Sequence, residues 1–147
     1  MLTPSESNKR KVLIVEDDPM MLELICTRLD LAGYQTLHGR DGYEGLDRLR
    51  DDRPDAMVLD INMPRLDGFG VLRQMKTLGH LPRVPVMVLT ARNQTSDVRE
   101  AIKLGARDFL TKPFDDQRLL ARVARLVRPA PPVRPAAGPP RVSRMIW

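Results

Sequence analysis

The sequence predicts an α/β fold, a doubly wound (βα)5 sheet of five parallel strands with helices on both faces. Three observations predict it. Five short apolar runs alternate with five segments whose apolar residues recur at helical spacing. The runs are unbroken, as in strands covered on both sides, and parallel strands need helical crossovers to join them. Finally, four runs stop at polar residues, Glu16-Asp17-Asp18, Asp60, Thr90 and Lys112. In an open α/β sheet these stops lie side by side at the carboxyl edge, where such sheets place their ligands.

The elements follow in order. Lys11–Val15 is a first strand that ends at the acidic triplet, with Asp18 as helix cap and Pro19 in the first helical turn. Met21, Leu22, Ile25, Leu29 and Ala32 mark the helix, which Gly33 ends. Tyr34–His38 reads as the second strand and about 42–50 as the second helix, with Leu46 and Leu49 inward and Pro54 beyond. Ala56–Asp60 is the third strand. Asp67-Gly68 opens a third helix that buries Val71, Leu72 and Met75. Val86–Thr90 is the fourth strand, about 96–104 the fourth helix, and Gly105 closes it. Ala106–Thr111 runs into Lys112-Pro113, and Asp115 or Asp116 caps a last helix carrying Leu119, Leu120, Val123 and Leu126.

A chain of 147 residues, 42% apolar and 29% charged, suits one globular domain. Three segments are expected: a disordered leader at 1–10, the folded domain at 11–127, and a linker or tail at 128–147. In the last, Pro129, Pro131, Pro132, Pro135, Pro139 and Pro140 exclude a packed core. Met145-Ile146-Trp147 is an apolar end that suits a small docking peptide. The polar start lacks a signal-like apolar stretch, and no run approaches the ~20 residues of a membrane span. The expected location is therefore cytoplasmic, with no membrane partner. Cys26 cannot form an internal disulfide and is expected to pack as a small apolar residue. The net charge is +5, but the last twenty residues hold Arg128, Arg134, Arg141 and Arg144 and no acid. Setting those four aside leaves 20 basic residues against 19 acidic ones. So near-neutral a body argues against direct nucleic-acid binding by this domain.

The carboxyl edge carries the chemistry. Carboxylates crowded in a crevice repel one another until a cation arrives, and a hard, oxygen-seeking ion such as Mg²⁺ fits. A lysine ammonium and a threonine hydroxyl complete the set of groups that stabilise a phosphoryl group in transfer. No serine, cysteine or histidine is placed to attack, which leaves Asp60 as nucleophile and an acyl phosphate as product. Each residue alone has an ordinary reading: Asp18 as a helix cap, Thr90 as a hydroxyl near a helix, Lys112 and Arg92 as solvated charges, Phe109 as core. Their agreement at four strand ends does not. His38 and His80 read as surface residues, and Met57, Met63, Met75 and Met87 as core filler.

Val-Glu-Asp-Asp-Pro at 15–19, Asp-Ile-Asn-Met-Pro at 60–64, Asp67-Gly68, Leu-Thr-Ala at 89–91, Gly-Ala-Arg-Asp-Phe-Leu at 105–110 and Thr-Lys-Pro-Phe at 111–114 together resemble a response-regulator receiver domain of bacterial two-component signalling, over about 11–127. The resemblance implies a flavodoxin-like, chemotaxis-regulator-like fold. It implies Asp60 as the acceptor of a phosphoryl group from a sensor histidine kinase or phosphotransfer protein. Mg²⁺ (or Mn²⁺) is then held by Asp17, Asp60 and the backbone carbonyl of Asn62, with Glu16 acting through water. Lys112, Thr90 and Ala91 contact the phosphoryl group, the Lys112–Pro113 bond is cis, and Thr90 and Phe109 switch together. The output surface, also a possible homodimer interface, is the fourth helix, fifth strand and fifth helix. The chain is expected to act on itself rather than on a free substrate.

Phe109 stands where many members carry tyrosine, which removes a hydroxyl from any partner contact. Asn62 and Arg92 stand where the family tunes the access of water to the phosphoryl group. A dehalogenase-type phosphohydrolase is disfavoured because Asn62 occupies the position of its general acid. A flavin module is disfavoured because Glu16-Asp17-Asp18 would repel the phosphate. A stand-alone receiver that signals by docking without phosphate is the alternative within the family.

Overall fold

A computed structural model describes residues 8–128 of the chain; the leader up to Ser7 and the tail from Pro129, with Met145-Ile146-Trp147, lie outside the described residues. The strands are β1 (Lys11–Val15), β2 (Gln35–Gly39), β3 (Ala56–Leu59), β4 (Val86–Thr90) and β5 (Asp108–Thr111). The helices are α1 (Pro19–Leu31), α2 (Gly42–Asp52), α3 (Gly68–Thr77), α4 (Thr95–Lys103) and α5 (Asp116–Val127). All strands pair in parallel, in the order β2-β1-β3-β4-β5. The chain reverses direction across the sheet between β1 and β3, which opens the crevice at their carboxyl ends.

Alternation along the strands builds two cores. Leu13, Val15, Met57, Leu59, Val86 and Val88 face one side, against Leu49 of α2, Leu72 and Met75 of α3 and Ala101 of α4. Val12, Ile14, Ala56, Val58, Met87 and Leu89 face the other, against Ile25 and Leu29 of α1 and Leu119 and Val123 of α5. Every residue of β3 and β4 is buried, as the unbroken apolar runs require. The four methionines named above are all in the core, and Cys26 is half-buried against the second cluster.

Several boundaries move by one or two residues. Tyr34 N–H donates to Leu29 O at 3.1 Å, closing the end of α1, so β2 begins at Gln35. Ala106 N–H is likewise spent on Ala101 O, at 2.9 Å, and β5 starts at Asp108. α2 runs on to Asp52 because Arg53, at φ 48°, supplies the left-handed turn that ends it. α4 starts at Thr95 and ends at Lys103. The acidic caps stand as read, with Asp18, Asp67 and Asp115 each accepting a backbone N–H of its helix. Lys112–Pro113 is cis, as is Leu81–Pro82.

His80 corrects the reading of both histidines as surface residues. His38 is exposed, but His80, in the α3–β4 loop, is buried. Its Nδ1 lies 2.9 Å from the Arg83 guanidinium, so it accepts. Burial and the Arg83 charge both push its pKa down, which keeps the ring neutral.

One glycine fixes the loop after β3. A Cβ on Gly68 would clash with Asp60 O and meet Ile61 Cα at 2.7 Å, while its N–H donates to Ile61 O at 2.8 Å. Gly68→Ala must therefore displace backbone beside Asp60. The expected loss is roughly 1–3 kcal/mol of stability, the usual cost of overpacking, read as a lower urea midpoint; an unchanged midpoint would mean that the loop yields freely.

Candidate functional site

Residue Asp60 lies one position past β3, its N–H donated to Val15 O at 3.0 Å, so β1 and β3 jointly hold it at the crevice. It is buried at 6% exposure, and its Oδ1 accepts the N–H of Ile61 at 2.7 Å. Glu16, the first residue beyond β1, is 2% exposed. Asp17, next to it, is exposed. One carboxylate oxygen from each of Glu16, Asp17 and Asp60 lies within 4.8 Å of the others. These are the three carboxylates that the sequence singled out, brought within reach of one ion. Asp18 stands apart as the helix cap, accepting from Met20 N at 3.1 Å and donating its own N–H to Glu16 Oε2.

Lys112 reaches this cluster from the far side. Its N–H donates to Thr90 O at 2.8 Å, extending the β4–β5 ladder and fixing where the side chain starts. Its Nζ donates to Glu16 Oε1 at 2.7 Å and lies 3.5 Å from Asp60 Oδ2. Burial works against the Lys112 charge, but the Glu16 hydrogen bond and the fields of Asp60 and Glu16 outweigh it, raising the pKa above the ordinary lysine value. Burial pushes the Glu16 carboxyl up, and the Asp60 charge adds to this, with the Lys112 hydrogen bond only partly offsetting them. One ammonium thus serves two buried carboxylates. The excess negative charge is what a divalent cation would neutralise, and all the donors are hard oxygens, so the residues fit Mg²⁺.

The remaining expected residues lie on the adjoining strands and loops. Thr90 is fully buried at the end of β4, its Oγ1 accepting the Arg92 N–H at 3.4 Å. Ala91 follows, exposed on the loop. Phe109, opposite Val88 in the β4–β5 register, is half-buried against the first core. Asn62 is exposed, and its side-chain oxygen accepts from Arg92 Nη1 at 3.3 Å.

Arg92 is not an ordinary solvated charge. Its Nη2 donates to Asp97 Oδ1 at 2.7 Å, and its guanidinium carbon lies 5.4 Å from the Phe69 ring centroid. Asp97 is buried in the first turn of α4, and Phe69 is buried in the first turn of α3. Together they hold Arg92 against Asn62, two residues after Asp60 in the chain. Neither partner was foreseen. Asp97 has the look of any acidic residue in a first helical turn, and Phe69 that of plain core.

The chain matches the family model described as "Response regulator receiver domain" over residues 12–124. It is 43% identical over 122 residues to the response regulator MprA of Mycobacterium avium, which covers 83% of this chain and 53% of that protein; the chain thus spans about half the length of the curated relatives it matches. Among solved structures it is similar to the receiver domain of the Francisella response regulator 1452, with TM-score 0.75 and 34% identity over 81% of this chain and 97% of that one. It is also similar to the Vibrio cholerae chemotaxis protein CheY4, with TM-score 0.76 and 29% identity over 80% of this chain and 98% of that one.

The raised Glu16 pKa has a pH signature. A carboxyl whose folded pKa is raised favours folding fully below its ordinary value of 4.5, and that contribution is lost as pH rises through the folded value. Wild type should therefore lose more stability than Glu16→Gln as pH rises from 4.5 towards neutrality, and Mg²⁺ should recover part of the loss in wild type. Parallel urea midpoints for the two proteins across that window would show that Glu16 titrates normally.

Proposed function

The chain belongs to the response-regulator receiver family, and on that premise we propose that it is the phospho-accepting switch of a two-component pair. The observation that carries this reading is the meeting of Asp60 with Glu16, Asp17 and Lys112 at one crevice from three separate strand ends. A phosphohistidine of a sensor kinase or phosphotransfer protein is the donor. An Asp60 carboxylate oxygen attacks phosphorus, the P–N bond breaks, the imidazole takes up a proton, and an acyl phosphate remains on Asp60. The exposed Met20 and Leu24 of α1, beside the crevice, offer an apolar seat for the donor protein.

Asp17, Asp60, the Asn62 backbone carbonyl and, through water, Glu16 are the groups that would hold Mg²⁺ or Mn²⁺. When bound, that ion supplies charge neutralisation for the phosphoryl oxygens. Lys112 exchanges its Glu16 contact for a phosphoryl oxygen. The Thr90 hydroxyl and the Ala91 N–H turn to the others, with Phe109 moving inward as Thr90 leaves. Each contact exists only in the phosphorylated state, so each shifts the population towards it. The face formed by α4, β5 and α5 then changes shape for a partner or a second copy. The folded domain is 11–127, with 128–147 as linker or tail, and the chain turns over nothing but its own phosphoryl group.

Acetyl phosphate with Mg²⁺, read by intact mass, tests the reading. Wild type should gain one phosphoryl group that is absent without Mg²⁺ and absent in Asp60→Asn. An adduct that survives in Asp60→Asn, or none in wild type, overturns it. Arg92, pinned across Asn62 by Asp97 and Phe69, shields the phosphoryl group from attacking water. Arg92→Ala should shorten the lifetime of phospho-Asp60 several-fold, and an unchanged decay would remove Arg92 from that role.

A further inference from the structure

At the edge opposite the crevice, where the strands begin, arginines gather from five separate segments. Arg10 precedes β1, Arg53 precedes β3, Arg83 precedes β4, Arg107 precedes β5 and Arg128 follows α5. All five line one cavity of about 420 Å³, whose only acidic residue is Asp55. That carboxylate is engaged by the Lys11 N–H at 2.8 Å and touches Arg10 at 3.9 Å. Among the described residues, Arg53, Arg83, Arg107 and Arg128 have no ion pair. The sequence neighbour of Arg107, Asp108, is bound instead to Arg122 at 2.7 Å. Arg83 donates to the neutral ring of His80, which leaves its charge in place.

The band does not stop at this cavity. Arg53 and Arg83 also line a neighbouring hollow of about 400 Å³, and Arg107 lines another of about 250 Å³ with Arg122 and Arg125, both of which pair there with Asp108. A near-neutral total therefore conceals an uneven spread of charge: Glu16, Asp17 and Asp60 meet at the crevice end, and Arg53, Arg83, Arg107 and Arg128 gather at the other without ion pairs among the described residues. The main cavity contains no lysine, and guanidinium is the group whose planar fork grips phosphate oxygens in pairs. It contains no aromatic ring on which an unpaired base would stack. Spaced phosphates without exposed bases describe a duplex. The chain also leaves the described residues at Arg128 on this edge, and the sequence beyond adds Arg134, Arg141 and Arg144 and no acid.

We propose that this arginine edge binds the phosphate backbone of double-stranded nucleic acid without reading its sequence, at the end of the sheet remote from Asp60. The claim is independent of phosphoryl transfer.

Anisotropy of a labelled duplex of arbitrary sequence, titrated with the full chain, tests it. Binding should weaken with salt, with a log–log slope of about −3 to −4, as expected for roughly four phosphate contacts at about −0.9 each. Arg53→Glu with Arg107→Glu should weaken binding by at least about tenfold, the scale of two lost charge contacts, while leaving the urea midpoint and acetyl phosphate labelling unchanged. Asp60→Asn should bind the duplex like wild type. No binding at low salt overturns the proposal. So does equal affinity in the double variant, which would assign binding to the tail. Competition by polyglutamate as strong as by unlabelled duplex would assign the edge to an acidic protein and overturn it equally. The triple variant Arg134→Ser, Arg141→Ser, Arg144→Ser should still depend on Arg53 and Arg107.

Discussion

One ammonium group between two buried carboxylates is the constraint on which the rest of the structure depends. Lys112 and Glu16 are 96 residues apart in the chain and 2.7 Å apart in space. Breaking a buried pair by removing one partner typically costs about 3–5 kcal/mol, because a charge is left uncompensated. A sheet that slipped its β4–β5 register by one residue would turn Lys112 away and leave Glu16 and Asp60 facing each other. The two aliphatic cores supply the stability that permits this arrangement. Fully buried Leu13, Met57, Leu59, Met87 and Leu89 lie in the strands whose ends carry the charges.

The sequence made the sheet legible because burial on both faces leaves a plain signature. Val86–Thr90 could be read to the residue, since nothing in it faces water and proline precedes it. The helix caps were legible for a different reason: an aspartate before a helical run has few other uses, as Asp18, Asp67 and Asp115 show. The ends of β2 and β5 were less so. There the first residue is claimed by the preceding helix through a hydrogen bond that no composition reveals. The central site residues could be read because each marks the end of an apolar run. The Asp97 and Phe69 contacts to Arg92 could not, because they join first turns of two different helices to one loop. The arginine edge was hidden for the same reason, and the charge total actively concealed it. His80 looked like a surface residue near a loop, and only the folded packing around it reveals its burial.

The two ends of the sheet use charge in opposite ways. At the carboxyl end, two negative groups, Glu16 and Asp60, are buried and their repulsion is held in check by one lysine. At the amino end, positive groups are spread over an open surface, where water screens them and no partner is required. Parallel topology makes such a division natural, because all strand starts share one edge and all strand ends the other.

The helix α4 begins without a side-chain cap. Its N-cap, Gln94, makes no capping bond, unlike the aspartates that start the other four helices, and at nine residues it is the shortest of the five. What fastens its first turn is the buried Asp97 carboxylate, gripped by Arg92 from the loop above the crevice. A helix held by a tertiary contact rather than by its own cap opens locally at lower free energy than its neighbours. Amide hydrogens in the first turn of α4 should therefore exchange with solvent through a small, private opening that the rest of the sheet does not share. The opening of that turn breaks the Arg92–Asp97 ion pair, so α4 and the loop after β4 loosen together.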